Sequence, residues 1–131
     1  MATKKKMLQA AAGQAGGAGL DVTEVFSTYL YEGTGTTQTI TNGIDLAGEG
    51  GLVWSKGRSD VSHHSLFDTE RGVNNALAII TNPEASVTSL TSFNSDGFSA
   101  DGTWLNFNQS GVDYASWTFR KAPKFFDVVT Y

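Results

Sequence analysis

Apolar and polar residues alternate with a period of two through Tyr114-Ala-Ser-Trp-Thr-Phe-Arg120. Ala115, Trp117 and Phe119 fall on one face of an extended chain, and Tyr114, Ser116, Thr118 and Arg120 on the other. That pattern marks a half-buried β-strand, and the Trp117 face reads as the core side. Pro123 cannot donate to a ladder, so the strand is expected to end near it. A further β-branched and aromatic run, Phe125 to Tyr131, then reads as strand to the last residue. Upstream, β-forming runs are expected at Val25–Tyr31, Thr36–Ile40, Gly51–Lys56, Ser65–Glu70, Ala76–Ile80 (a strand in preference to one helical turn), Val87–Phe93, Phe98–Ser99 and Thr103–Phe107. Val53 and Trp54 read as core contributors. Between the runs lie turn signals: Glu32–Gly35, Asn42-Gly43, Gly48–Gly51, Asn94–Gly97, Asp101-Gly102 and Asn108–Gly111.

About nine short strands with turns every 8–12 residues predict an all-β fold, an antiparallel β-sandwich of jelly-roll or concanavalin-like type. No long amphipathic helix follows residue 20. Residues 1–20 differ. Lys4, Lys5 and Lys6 are the densest positive charge, Met7 and Leu8 to Ala12 favour a helical turn or two, and Gly13, Gly16, Gly17 and Gly19 interrupt it. The chain divides into a short extended or helical N-terminal arm with a Gly/Ala linker, 1–20, and a sandwich module, 21–131. Such an arm is either a leader without fixed structure or an anchor that orders on a partner subunit.

The 131 residues suit one domain, and 40% hydrophobic content with 17% charge can bury a core. A formal net charge of −4 argues against sequence-independent nucleic-acid binding. The absence of cysteine removes thiol chemistry, disulfides and cysteine metal sites. No apolar run is long enough to insert in a membrane. The apolar stretch from Met7 to Ala12 is too short for a secretory signal, so the protein is expected to be made in the cytoplasm and not exported.

Candidate chemistry is sparse. Adjacent His63 and His64 point to opposite faces of an extended chain and read as a solvated pair, with no metal. Asp68 and Glu70 share a face, as a glycosidase pair would, but neighbouring Arg71 favours a structural ion pair. Asp96, Asp101, Asn106 and Asn108 could supply oxygen ligands to calcium, although turn chemistry accounts for them without a cofactor. Trp104, with Asn106 and Asn108 beside it, is the candidate glycan contact.

Several segments together are similar to virion structural proteins of tailed phages that infect cyanobacteria and other marine bacteria. They are Val25-Phe-Ser-Thr-Tyr-Leu-Tyr31, Gln38 to Trp54, Leu66-Phe-Asp-Thr-Glu-Arg-Gly72, Ser92-Phe-Asn-Ser-Asp-Gly-Phe98 and Ser116 to Tyr131; the opening from Lys4 to Gly13 also fits. Residues 57–64 and 78–87 depart from the pattern. The resemblance implies a tail-fibre or other appendage subunit with a concanavalin-like or laminin-G-like module and no enzyme activity. Its alternatives are a capsid decoration or head-fibre protein, or a carbohydrate-binding module. The implied location is the virion. The implied partners are other tail, portal or capsid proteins, a second copy of the chain in a homo-oligomer, and a host surface glycan. Lys4, Lys5, Lys6, Met7 and Leu8 would anchor the arm. The resemblance also implies a further similar module beyond Tyr131. Phe26 and Tyr31 fall over Phe126 and Tyr131 when the first and last aromatic runs are aligned, which either marks that repeat or reflects two similar strands of one sandwich.

Overall fold

The computed structural model describes residues 19–73, 75–78, 84–86, 89–101 and 107–131. The arm residues Lys4 to Leu8, and Trp104 and Asn106, lie outside them, as does the strand expected at Thr103–Phe107 apart from Phe107, which is buried in a connection. The fold is an all-β sandwich of two antiparallel sheets. In chain order come a helical turn α1 (Val22–Val25), β1 (Phe26–Glu32), β2 (Gln38–Thr41), a second turn α2 (Leu46–Glu49), β3 (Gly51–Gly57), β4 (Ser65–Asp68), β5 (Asn75–Ala78), β6 (Glu84–Ser86), β7 (Leu90–Asn94), β8 (Gly97–Ala100) and β9 (Asp113–Arg120). The large sheet has the order β1-β9-β3-β4-β5-β6, and the small sheet β2-β8-β7.

Both helical turns begin on an aspartate. Asp21 accepts from the Thr23 N–H at 2.9 Å and Asp45 from the Gly48 N–H at 2.7 Å, the bond that satisfies the first free amides of a helix. Val25 therefore belongs to α1, and the Gly48–Gly51 region is part helix and not only turn. The expected Val87–Phe93 strand is replaced, within the described residues, by β7 starting at Leu90. The expected strand over Phe125–Tyr131 does not form: only an isolated bridge joins Ala122 to Phe126. Pro123 and the left-handed Lys124 (φ 64°) bend the chain into a tight loop there. Gly97, with φ 153°, closes the β7–β8 hairpin where a Cβ would collide with the Ile40 carbonyl.

The core lies between the sheets. Tyr31, Val53, Phe67, Ala76 and Tyr114 come from the large sheet, Ile40, Leu90, Phe98 and Ala100 from the small one, with Ile44, Leu46, Phe107 and Val112 from connections. Phe107 meets Phe67 and Phe98 at centroid distances of 5.0 and 5.9 Å. Tyr31 stacks on Tyr114 at 5.1 Å, and its hydroxyl bonds Ser55 Oγ (3.0 Å) and donates to the Phe107 carbonyl (2.9 Å).

This packing reverses the expected faces of β9. Tyr114, Ser116 and Thr118 are fully buried and face the core, so Trp117 and Phe119 point outward and remain partly exposed. Buried hydroxyls cost little when they are bonded. Thr118 Oγ1 accepts from Asn42 Nδ2 at 2.9 Å, and the Tyr114 hydroxyl accepts from the Gln109 N–H at 3.0 Å. On β3 likewise Val53 and Ser55 face in, and Trp54 faces out.

Burial pushes the Tyr31 hydroxyl well above the ordinary phenol value of 10.0, and burial raises Tyr114 too. Above that value an unfolded chain loses tyrosine protons that the folded one keeps. The stabilisation is thus complete below pH 10 and lost as pH rises, by up to about 1.4 kcal/mol per pH unit for each tyrosine. Urea midpoints followed from about pH 9 to about pH 11 should fall steeply, and Tyr31→Phe should flatten the decline.

Candidate functional site

The two outer faces of the sandwich differ in chemistry. On the small sheet Thr39, Thr41, Thr91 and Ser99 point outward, and Ser99 Oγ meets Thr39 Oγ1 at 3.2 Å and accepts from Asn94 Nδ2 at 3.1 Å. On the large sheet the outward positions are Phe26, Thr28 and Leu30 on β1, Ala115, Trp117 and Phe119 on β9, Leu52, Trp54 and Lys56 on β3, Leu66 on β4 and Leu77 on β5. Register brings them into rows. Phe26, Phe119 and Leu52 lie side by side, as do Thr28, Trp117, Trp54, Leu66 and Leu77.

Ring contacts follow that register. Trp54 and Trp117 are 4.9 Å apart and tilted by 45°, and Phe26 and Phe119 are also 4.9 Å apart. The loop after β9 folds back so that Phe126 covers part of Phe119 at 5.2 Å. Lys121 secures this return, bonding Glu70 at 2.7 Å and Asp127 at 3.4 Å; the hydrogen bond with Glu70 raises the Lys121 ammonium above its usual value. His64 closes the other end. Its ring lies 5.6 Å from Trp54, whose indole N–H donates to His64 Nδ1 at 2.9 Å, which leaves the proton of the neutral imidazole on Nε2. These rings are partly exposed and Leu30 is 57% exposed, so the face presents a contiguous set of apolar side chains, the kind of patch that marks interaction sites on soluble domains when it is large.

The other candidates have structural tasks. Asp68 is buried, ion-pairs with Arg71 at 2.5 Å and accepts the Glu70 and Arg71 N–H groups at 3.0 and 2.8 Å. Glu70 is held by Lys121, so the two carboxylates are drawn to different cations. His63 is exposed and His64 is spent on Trp54, so the pair divides between solvent and a ring contact. Asn108 is corrected as a glycan contact or calcium ligand. It is fully buried, its Oδ1 accepts from the Thr34 N–H (3.1 Å) and Gln38 Nε2 (2.7 Å), and its Nδ2 donates to the Thr36 carbonyl (2.7 Å). Asp96 is exposed, and its carbonyl accepts from the Asn42 and Gly43 N–H groups, both at 2.9 Å. Among the described residues no group of three or more His, Cys, Asp or Glu side chains is placed to hold a metal.

Hydropathy places Trp54 and Trp117 in the core, so the outer aromatic row is not evident from the sequence. The alternate positions, which do face the core, hold Ser55, Gly57, Ser116 and Thr118, so hydropathy points to the wrong side. No curated protein and no solved structure matches the chain. A family model matches residues 21–125, which span both sheets and the aromatic face, and the chain therefore belongs to the DUF7483 family, a domain of unknown function.

Proposed function

We propose that the chain is a bacteriophage virion structural protein, a tail-fibre or appendage subunit that acts by binding, without turnover. The arm, with Lys4, Lys5, Lys6, Met7 and Leu8, anchors it to other virion proteins, and the outer face of the large sheet docks it in the assembled particle. The observation that carries this reading is the contrast between the two outer faces: aromatic and aliphatic on the large sheet, threonine and serine on the small one. Solvation alone favours the second kind, and burial against another surface favours the first. The sequence resemblance supplies the class of particle.

The test is complementation of a phage lacking the subunit. The double variant Trp54→Ser/Trp117→Ser, folded by circular dichroism, should enter particles at least about tenfold less than wild type, the change that about 1.4 kcal/mol of lost docking energy produces. Full incorporation would refute the docking role. A second reading, recognition of a host surface glycan, rests on the partly exposed ring faces of Trp54 and Trp117, which can stack on the apolar face of a sugar. Quenching or shift of tryptophan emission by host envelope polysaccharide, lost in Trp117→Ser, would favour it.

A further inference from the structure

We infer that the free edge of β1 pairs with β1 of a second copy, joining two large sheets across a two-fold axis. β1 ends the large sheet, and among the described residues no strand pairs with its outer side. The direction of its backbone groups follows from the ladder. The Gly33 N–H donates to the Val112 carbonyl at 2.8 Å, so Tyr31, Tyr29 and Ser27 turn their amides toward β9 by alternation. Asp113 agrees, its N–H going to Ser59 Oγ (2.9 Å) and its carbonyl to the Arg58 N–H (2.6 Å), both away from β1. Phe26, Thr28, Leu30 and Glu32 therefore aim outward.

Part of that edge is already used. The Phe26 N–H closes α1 on the Val22 carbonyl, and the Glu32 carbonyl accepts Gln38 Nε2 at 2.9 Å. Among the described residues, the donors between Phe26 and Leu30 left without a partner are the Thr28 and Leu30 N–H groups, and the acceptors include the Phe26 and Thr28 carbonyls. An antiparallel pairing centred on Thr28 matches them: Thr28 N–H to the second copy's Thr28 carbonyl, and Leu30 N–H to the second copy's Phe26 carbonyl, each made twice by symmetry. No donor in this stretch is stranded, so β1 is complementary to a second copy of itself in this register.

The side chains agree with the backbone. On the outer face the same register sets Phe26 against Leu30, which is otherwise 57% exposed, and on the other face Ser27 against Tyr29, which is 37% exposed. From Phe26 to Tyr31 there is no lysine, proline or charge, and the register against β9 runs without a bulge. These are the devices by which edge strands avoid pairing; their absence fits an edge that is meant to be covered. The aromatic rows of two copies would then continue through the axis as one surface. The inference adds to the proposed docking face and does not depend on it.

Sedimentation of the full-length chain tests it. Wild type should be a dimer at micromolar concentration and dissociate on dilution. Thr28→Pro removes an outward N–H without touching the ladder to β9, and Leu30→Lys places a charge on the edge. Each should weaken self-association at least tenfold with circular dichroism unchanged. If Thr28→Pro fails to fold, Leu30→Lys decides alone. Trp54→Ser/Trp117→Ser should leave the dimer intact, which separates failure of this inference from failure of the docking face. A wild type that stays monomeric throughout the micromolar range, or a dimer that survives both edge variants, overturns the inference.

Discussion

Asn108→Ala is expected to lower stability by about 3 kcal/mol, from three lost side-chain hydrogen bonds at about 1 kcal/mol each. The amide satisfies the Thr34 N–H, Gln38 Nε2 and the Thr36 carbonyl at once, and so fixes the whole turn between β1 and β2. Its own carbonyl accepts the Gly35 N–H at 2.8 Å, which the variant keeps. What alanine removes is the side-chain set: the Thr34 N–H loses its partner, whereas Gln38 Nε2 keeps the Glu32 carbonyl and the Thr36 carbonyl keeps Thr34 Oγ1. Such an orphan costs about 1–3 kcal/mol, and slight opening of the turn to water recovers part of it. Asn108→Asp should be at least as harmful, because a carboxylate faces the Thr36 carbonyl without a proton to donate. Urea unfolding checks both, and a midpoint within error of wild type would mean that the turn is held by something else.

Phe67→Ala is expected to cost about 3–5 kcal/mol, the range for an aromatic ring removed from a closed core. Phe67 is fully buried and meets Phe107 edge-on at 5.0 Å, and Phe107 passes the contact to Phe98 in the opposite sheet. The cavity would sit between the sheets, among the rings of Phe107 and Phe98 that cannot close it without giving up their own contacts. Trp117→Ala should cost much less in the isolated chain, about 1–2 kcal/mol, although tryptophan is the larger side chain. Its ring is partly exposed and rests on Trp54 instead of filling a gap. The ordering, Phe67 above Trp117, separates the observed arrangement from one in which the tryptophans form the core. Equal losses would contradict it.

Strand positions were legible wherever period-two alternation was bounded by glycine or asparagine. β3, β8 and β9 fall within a residue or so of expectation at one or both ends, and the Asn94–Gly97 hairpin is where its sequence places it. The facing of β9 was not legible. Tyr114, Ser116 and Thr118 alternate with Ala115, Trp117 and Phe119, and both sets contain aromatic rings, so hydropathy selects the wrong side. The deciding facts are three-dimensional: Asn42 and Gln109 supply the hydrogen bonds that let hydroxyls lie inside. The role of Asn108 is hidden for a related reason. Asparagine after a β-forming run reads as a surface turn, and its partners Thr34, Thr36 and Gln38 lie some seventy residues earlier. The Phe125–Tyr131 run shows that composition alone does not make a strand; with Pro123 and Lys124 bending the entry, the described residues offer it only one bridge.

We propose that the Trp54, Trp117 and Phe119 face of the large sheet is a docking surface and the threonine-rich face of the small sheet a solvated one, and electron cryo-microscopy of the phage particle proposed to carry the chain tests this most directly. The account predicts that a neighbouring subunit lies against Trp54 and Trp117 while Thr39, Thr91 and Ser99 face solvent. A particle in which both tryptophans face open solvent and the small sheet makes the contacts would contradict it.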